Sequence, residues 1–147
     1  MIPDALSVFC ARDFTHAVGE WINSGGDPNV RHPASKVTLL HTAAELQDVA
    51  AAKLLVEAGA DLNAKDEYGR TPLHIAVDSE LDVQSRTSAP SSFEVAKLLL
   101  IRGADPTSRD RNGRTPGDWA REYGFRASDK FEELVAEVSS QIAKRGK

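Results

Sequence analysis

The residues of this chain with the means to do chemistry are few: one thiol, Cys10, and four imidazoles, His16, His32, His41 and His74. A thiolate beside a histidine is a nucleophile. Acyl transfer also needs a group that orients the imidazole and donors that stabilise an oxyanion. Cys10 with His41 or His74 makes such a pair on paper, yet nothing in the sequence supplies the third group. Cys10 falls on an apolar stripe with Ala5, Leu6 and Phe9, where it reads as a small buried hydrophobe. His16 and His32 have no partner at ligand spacing, and four scattered histidines do not make a zinc site. No glycine-rich phosphate loop follows a strand-like run. The expectation is no catalytic residue, no cofactor and no metal.

Composition narrows the class further. A chain of 147 residues fits one domain with a real core, and its net charge of −4 counts against a generic nucleic-acid binder. A single cysteine excludes an intramolecular disulfide and suits a reducing compartment. No apolar run approaches the roughly 18 residues that would span a bilayer. Met1-Ile2-Pro3-Asp4 lacks the basic and apolar regions of a secretory signal. These features lead to the expectation of a cytoplasmic protein, with the nucleus as the other compartment open to it and no membrane partner.

What the sequence carries in place of a catalytic motif is repetition. Gly69-Arg70-Thr71-Pro72-Leu73-His74-Ile75-Ala76 reads as a tight turn followed by a helix start. Thirty-three residues before Thr71 stands Thr38, in Thr38-Leu39-Leu40-His41-Thr42-Ala43-Ala44. Forty-four residues after it stands Thr115, in Gly113-Arg114-Thr115-Pro116-Gly117-Asp118-Trp119-Ala120. A second phrase keeps step: Gly25-Gly26-Asp27, Gly59-Ala60-Asp61 and Gly103-Ala104-Asp105. Two phrases on one period of about thirty-three residues mark a repeat array.

Each unit reads as two short helices. Pro3-Asp4 opens the first, and Asp13 caps a second through Trp21-Ile22, with Phe14, Ala17 and Val18 inward. Thr38 caps a helix through Leu46, and Asp48 begins its partner, whose buried stripe is Val49, Ala52, Leu54 and Leu55. Thr71-Pro72 opens the third unit, whose second helix is expected over 93–100. Between them lie about eleven extra residues within Asp78 to Ser92. Ser85-Arg86-Thr87-Ser88-Ala89-Pro90-Ser91-Ser92 is polar and without periodicity, so a mobile exposed loop is expected. In the fourth unit a late second helix is expected after Ala127-Ser128-Asp129, burying Phe131, Leu134, Val135, Val138 and Ile142 on one face.

Thr-Pro-Leu-His-x-Ala followed by Leu-Leu-x-x-Gly-Ala-Asp resembles the ankyrin repeat. Gly69 to Asp78 and Ala96 to Asp105 fit that pattern nearly residue for residue. The likeness runs along the chain as four units: 1–31 as an N-terminal cap, 32–65, 66–109 with an inserted loop at about 79–92, and 110–147 as a C-terminal cap and tail. Leu39 stands where proline is expected, and Gly117-Asp118 replaces Leu-His. The resemblance implies an all-α solenoid of stacked helix-turn-helix repeats with hairpin-like turns. Turn tips and first helices would line a concave face, and second helices the convex back. It implies that His41 and His74 hydrogen-bond their own and neighbouring turns. One such unit cannot bury its apolar face alone, but a stack of four can.

The function implied by the resemblance is a non-catalytic protein–protein interaction module (an adaptor, assembly chaperone or inhibitor), itself a monomer. The expected binding residues are the turn tips Lys65, Glu67, Tyr68, Arg70, Arg111, Asn112 and Arg114, with the first-helix row Thr42, Ile75, Asp78, Trp119 and Glu122. Alignment of the units puts Val8 on the same outward row, with Glu45, Leu46 and Ser79 as the next exposed positions. Trp119 has two readings, an anchor for a partner or packing under the C-terminal segment. Residues 31–37, 65–70 and 109–114 sum to +4 in a chain of −4, so the turn edge would favour a partner with an acidic surface. Nucleic-acid contact through this basic rim is the alternative. It is weakened by the overall charge and by there being a single aromatic among the turn arginines. A purely structural subunit of a larger assembly is the third reading. The inserted segment is either a second contact, with Thr87, Ser88, Ser91 and Ser92 open to phosphate, or an expansion without function.

Overall fold

The structure, a computed structural model, describes residues 4–88 and 90–146. Pro3, Ala89 and Lys147, which the sequence places in the first helix start, the inserted loop and the tail, lie outside the described residues. Over the described residues the chain forms eight helices: α1 (Ala5–Phe9), α2 (Phe14–Asn23), α3 (Leu39–Glu45), α4 (Val49–Glu57), α5 (Pro72–Thr87), α6 (Glu94–Ile101), α7 (Pro116–Glu122) and α8 (Phe125–Arg145). They pack as consecutive pairs. Odd-numbered helices stack in one layer, α3 on α5 and α5 on α7, and even-numbered helices stack behind them, α2 on α4, α4 on α6 and α6 on α8. The all-α stacked-repeat solenoid expected from the sequence is the fold observed.

The recurring Thr-x-x-His phrase explains where two helices, α3 and α5, begin. Thr38 and Thr71 each accept a backbone hydrogen bond from the residue three on, and that residue's ring returns the favour to the threonine amide. Thr38 N–H donates to His41 Nδ1 at 3.1 Å and Thr71 N–H to His74 Nδ1 at 3.1 Å. A backbone amide can only donate, so Nδ1 is the bare nitrogen and Nε2 carries the proton. That proton goes to the next unit: His41 Nε2 donates to the Arg70 carbonyl at 2.8 Å, and His74 Nε2 to the Arg114 carbonyl at 2.9 Å. Leu40 and Leu73, one residue before each histidine, are fully buried, as are Leu39, Leu55, Val77 and Leu99. Further ties repeat in step along the stack. Asn29 and Asn63 accept through Oδ1 from the amides of Asp61 (2.6 Å) and Asp105 (2.8 Å) in the following units.

Only part of the inserted segment is the loop that its polar composition suggests: Ser88 and residues 90–92 are non-helical, but the residues before them are helix. α5 continues through Thr87, because Leu73, Val77 and Leu81 lie four residues apart and all are buried. Asp82 and Arg86 form an ion pair at 3.2 Å one turn apart. The hydroxyls of Ser85 and Thr87 donate back to the carbonyls of Asp82 and Val83, each at 2.8 Å, which lets these turn-favouring residues sit inside a helix. Phe93 does not join α6 but precedes it in a left-handed conformation, φ 50°, without a side-chain cap of its own. Glu80, on α5, takes that role: its Oε1 accepts from the amides of Ser92 at 2.7 Å and Phe93 at 3.3 Å.

Four smaller departures lie at helix ends or on the outer surface. α8 starts at Phe125, ahead of the expected position, since Ala127 and Ser128 already belong to its buried face. Ile142 is 45% exposed because α8 outruns the core, whose last contribution from this helix is Val138. Leu54 and Leu6 are exposed on the outer surface. Cys10, expected in the core, is an exposed C-cap at the end of α1, and Val8 takes the buried position of that helix.

Burial holds both repeat histidines below their ordinary value of 6.5, outweighing the carbonyl hydrogen bond that favours the charged ring. As pH falls through 6.5 the unfolded chain therefore takes up protons that the folded chain refuses. The stability contributed by the neutral rings is complete above that pH and is lost toward their lower folded values. The urea midpoint should drop from about pH 7 to about pH 5, and His41→Gln/His74→Gln should drop less over the same interval despite starting lower. Parallel pH profiles would refute the assignment. Glu80→Ala should cost about 1 kcal/mol, the usual worth of a helix cap, and hydrogen exchange should show the loss concentrated at the start of α6.

Candidate protein-binding face

The turn tips are built around two buried carboxylates. Asp66 Oδ1 accepts from the amides of Tyr68 and Arg70, each at 2.9 Å, while Oδ2 receives the Arg70 guanidinium at 2.7 Å. Asp110 repeats the arrangement with the amides of Asn112 and Arg114 at 2.9 Å, and its Oδ2 accepts from the Trp119 indole at 2.9 Å. Burial raises the Asp110 carboxyl, but the amides of Arg114 and Asn112 and the indole together carry it below the usual carboxylate range. Successive turns are stitched by main chain: Glu67 N–H donates to the Ser35 carbonyl at 2.9 Å and Arg111 N–H to the Tyr68 carbonyl at 3.0 Å. This closeness demands glycine at position 69. Its φ is +73°, and a Cβ there would come within 2.9 Å of the Arg111 nitrogen.

Between the last two turns lies an open cleft of about 380 Å³ lined by Tyr68, Arg70, Asp110, Arg111, Asn112, Arg114 and Trp119. Each aromatic ring sits under a guanidinium: Arg70 is 5.1 Å from the Tyr68 ring centre and Arg114 is 5.2 Å from that of Trp119. Trp119 also meets His74 edge to face at 5.6 Å. The indole is half-buried, tied down at its nitrogen, and still forms a wall of the cleft. Tyr68 stands 57% exposed.

Six of the twelve expected residues thus meet in one cleft, and the others are spread along the face. Ile75 and Asp78 line a smaller cleft of about 100 Å³ between α3 and α5 with Glu45 and Ser79. Thr42 is half-buried, its hydroxyl 3.5 Å from the Thr38 carbonyl. Glu122 pairs with Arg114, joining the helix row to the turn. Lys65 is exposed, but its ammonium donates to the Arg109 carbonyl at 3.0 Å, and Glu67 is half-buried with its amide in the turn-to-turn relay. Val8 leaves the row altogether, being 1% exposed and packed in the core. The basic rim is also part of the scaffold. Arg31 donates to the carbonyls of Lys36 and Lys65, and Arg109 to that of Gly113. Among the described residues Arg111 forms no ion pair. Sequence reading missed Asp66 and Asp110 as organisers, although Asp-x-x-Gly-Arg-Thr recurs at both turns. It also missed Tyr123, which has no counterpart in the repeat and donates its hydroxyl to Asp78 at 2.8 Å.

Among the described residues no group of histidines, cysteines and carboxylates is placed to hold a metal, and no helix is long and apolar enough to cross a membrane. A family model described as ankyrin repeats, three copies, matches residues 6–110. The chain belongs to the ankyrin-repeat family. Protein phosphatase 1 regulatory subunit 12A of Mus musculus is 49% identical over 57 residues, 39% of this chain and 6% of that protein. The Neurogenic locus Notch protein of Drosophila melanogaster is 42% identical over 60 residues, 41% of this chain and 2% of that one. Neurogenic locus notch homolog protein 1 of Mus musculus is 38% identical over 68 residues, 46% of this chain and 3% of that protein. The chain therefore matches only a small part of each relative's length. Ankyrin repeats indicate a protein–protein interaction module.

Removing the Asp110 carboxylate leaves two turn amides and the indole without their acceptor. Asp110→Ala should lower stability by about 3 kcal/mol and release Trp119, read as a red shift in its fluorescence before unfolding. An unchanged melting temperature and emission would show that the turn does not depend on Asp110.

Proposed function

We propose that this ankyrin-repeat stack is a non-catalytic adaptor or inhibitor module that takes one surface of a protein partner on its turn cleft and first-helix row. The observation that carries this reading is the pre-formed cleft: two aromatic rings, each covered by an arginine, held by carboxylates that are themselves buried. A cleft already ordered loses little conformational entropy when it is filled, so most of its contact energy remains as affinity. Tyr68 and Trp119 supply apolar area, while Arg111 and its neighbours favour a carboxylate-bearing partner and set its orientation. One of the relatives being named a regulatory subunit agrees with a role exerted through binding.

The test is capture of partners from native lysate by the wild type, followed by calorimetry with the protein retained. Trp119→Ala should weaken that complex by about 2 kcal/mol or more. Because the indole also braces Asp110, the exposed Tyr68→Ala, which should leave the melting temperature unchanged, is measured beside it. Equal affinity of both variants and the wild type would remove the turn cleft from the binding site.

A further inference from the structure

The first-helix layer has a second end, away from the turns, with the opposite charge. α5 has sixteen residues where α3 has seven, so at about 1.5 Å of rise per residue it outruns its neighbour by roughly 13 Å. The overhang places Val83 and Gln84 beside Glu45, Leu46 and Pro90 around a cleft of about 230 Å³. Two large apolar side chains face solvent here, Leu46 at 56% and Val83 at 52% exposure. Scattered exposed apolar residues need no explanation, but two sharing one cleft at the tip of an extended helix form a patch.

The surroundings of this patch are acidic. α3 and α5 together carry Glu45, Asp78, Glu80 and Asp82 against the lone guanidinium of Arg86. Arg86 is already engaged by Asp82, and Glu80 is occupied at the start of α6. Glu45 is exposed and has no cation partner among the described residues. Tyr123 senses the same field. Burial first, then its bond to Asp78 and the charges of Asp78, Asp82 and Glu122, push its hydroxyl up to about 12.

We propose that this shelf docks a basic amphipathic segment of a partner protein, with apolar side chains on Leu46 and Val83 and lysines or arginines against Glu45 and in the field of Glu80. An acidic segment would meet repulsion there, and a purely cationic one would leave the apolar patch wet. The shelf lies at one end of a face whose other end, the turn cleft, is cationic. A partner spanning both would be held in a single direction. The competing occupant is a second copy of this chain, because α8 ends in the exposed Ile142 beside Lys144 and Arg145.

The test uses the full chain and three short labelled peptides of helical period: one with leucine on one face and lysine on the other, one with every lysine changed to glutamate, and one with every leucine changed to serine. Fluorescence anisotropy should show the first binding about tenfold more tightly than either control, weakening as salt rises. Glu45→Lys and Val83→Ser, both exposed and expected to keep the wild-type helical signal, should each weaken it several-fold, and Tyr68→Ala should not. Equal binding of the glutamate or serine peptide, or of the Val83→Ser variant, would overturn the proposal. Sedimentation that shows concentration-dependent association, lost in both Val83→Ser and Ile142→Ser, would also overturn it by assigning the shelf to a second copy. The two readings fail separately, since Tyr68 belongs to the turn cleft alone and Val83 to the shelf alone.

Discussion

The stack depends on one proton held between a helix start and the next turn. The imidazole of His41 accepts from the threonine amide of its own unit and donates to the Arg70 carbonyl of the next, and His74 does the same toward Arg114. Both are buried, so either bond lost would leave a polar group without water or protein to satisfy it. The neutral ring carries a bare acceptor and a donor on two separate nitrogens of one rigid plane, and the phrase uses both. In the fourth unit Asp118 occupies that place. Its carboxylate still accepts from the Thr115 amide at 2.9 Å, completing the cap, but having no proton it has nothing to donate onward. The relay of imidazoles therefore ends where the sequence changes from histidine to aspartate.

Fixing the turns in this way has a consequence for the charges on them. A basic rim read from composition suggests free cations awaiting an acidic partner. In the folded chain most of those cations are bonded to carbonyls or to Asp66 and Asp110, and their first task is to hold turn to turn. Bonding to a neutral carbonyl does not remove the positive charge, so the rim still projects a field. The cost of ordering those side chains has already been met in folding.

The architecture was legible because the signals that specify it are local and repeated. Thr-x-x-His, the Gly-x-Asp endings and the aspartate caps of α2 and α4 act within a few residues of themselves, and a period makes each occurrence vouch for the others. The failures occurred where a tertiary contact outweighs local preference. Ser85 and Thr87 favour turns in isolation, but Leu81 extends the buried row of Leu73 and Val77 and carries the helix past them. Ser128 looks like a helix cap, yet it lies within α8 on its buried face. Cys10 and Val8 exchanged environments because α1 is too short to present a full stripe. Of the candidate site, exposure of Tyr68 and Leu46 could be read from position, whereas the bracing of Trp119 by Asp110 could not. That contact joins a turn to a helix nine residues later and follows from no periodicity.

The same contrast separates what the repeat provides from what distinguishes this member of the family. At repeat positions the residues are interchangeable between units: threonine, histidine, leucine and aspartate recur and do equivalent work. At the turn position of Tyr68 the next unit carries Asn112, and at the helix position of Trp119 the earlier units carry Thr42 and Ile75. The five residues of α5 beyond Asp82 have no equivalent in α3 or α7. Two of these departures line the turn cleft, and the third builds the shelf. A scaffold of repeats needs none of them for its own stability, apart from the part of Trp119 that braces Asp110. Exposed aromatic and apolar surface is unfavourable in water unless it is covered. Both the turn cleft and the shelf therefore lie where the period breaks, on a scaffold ordered by the period itself.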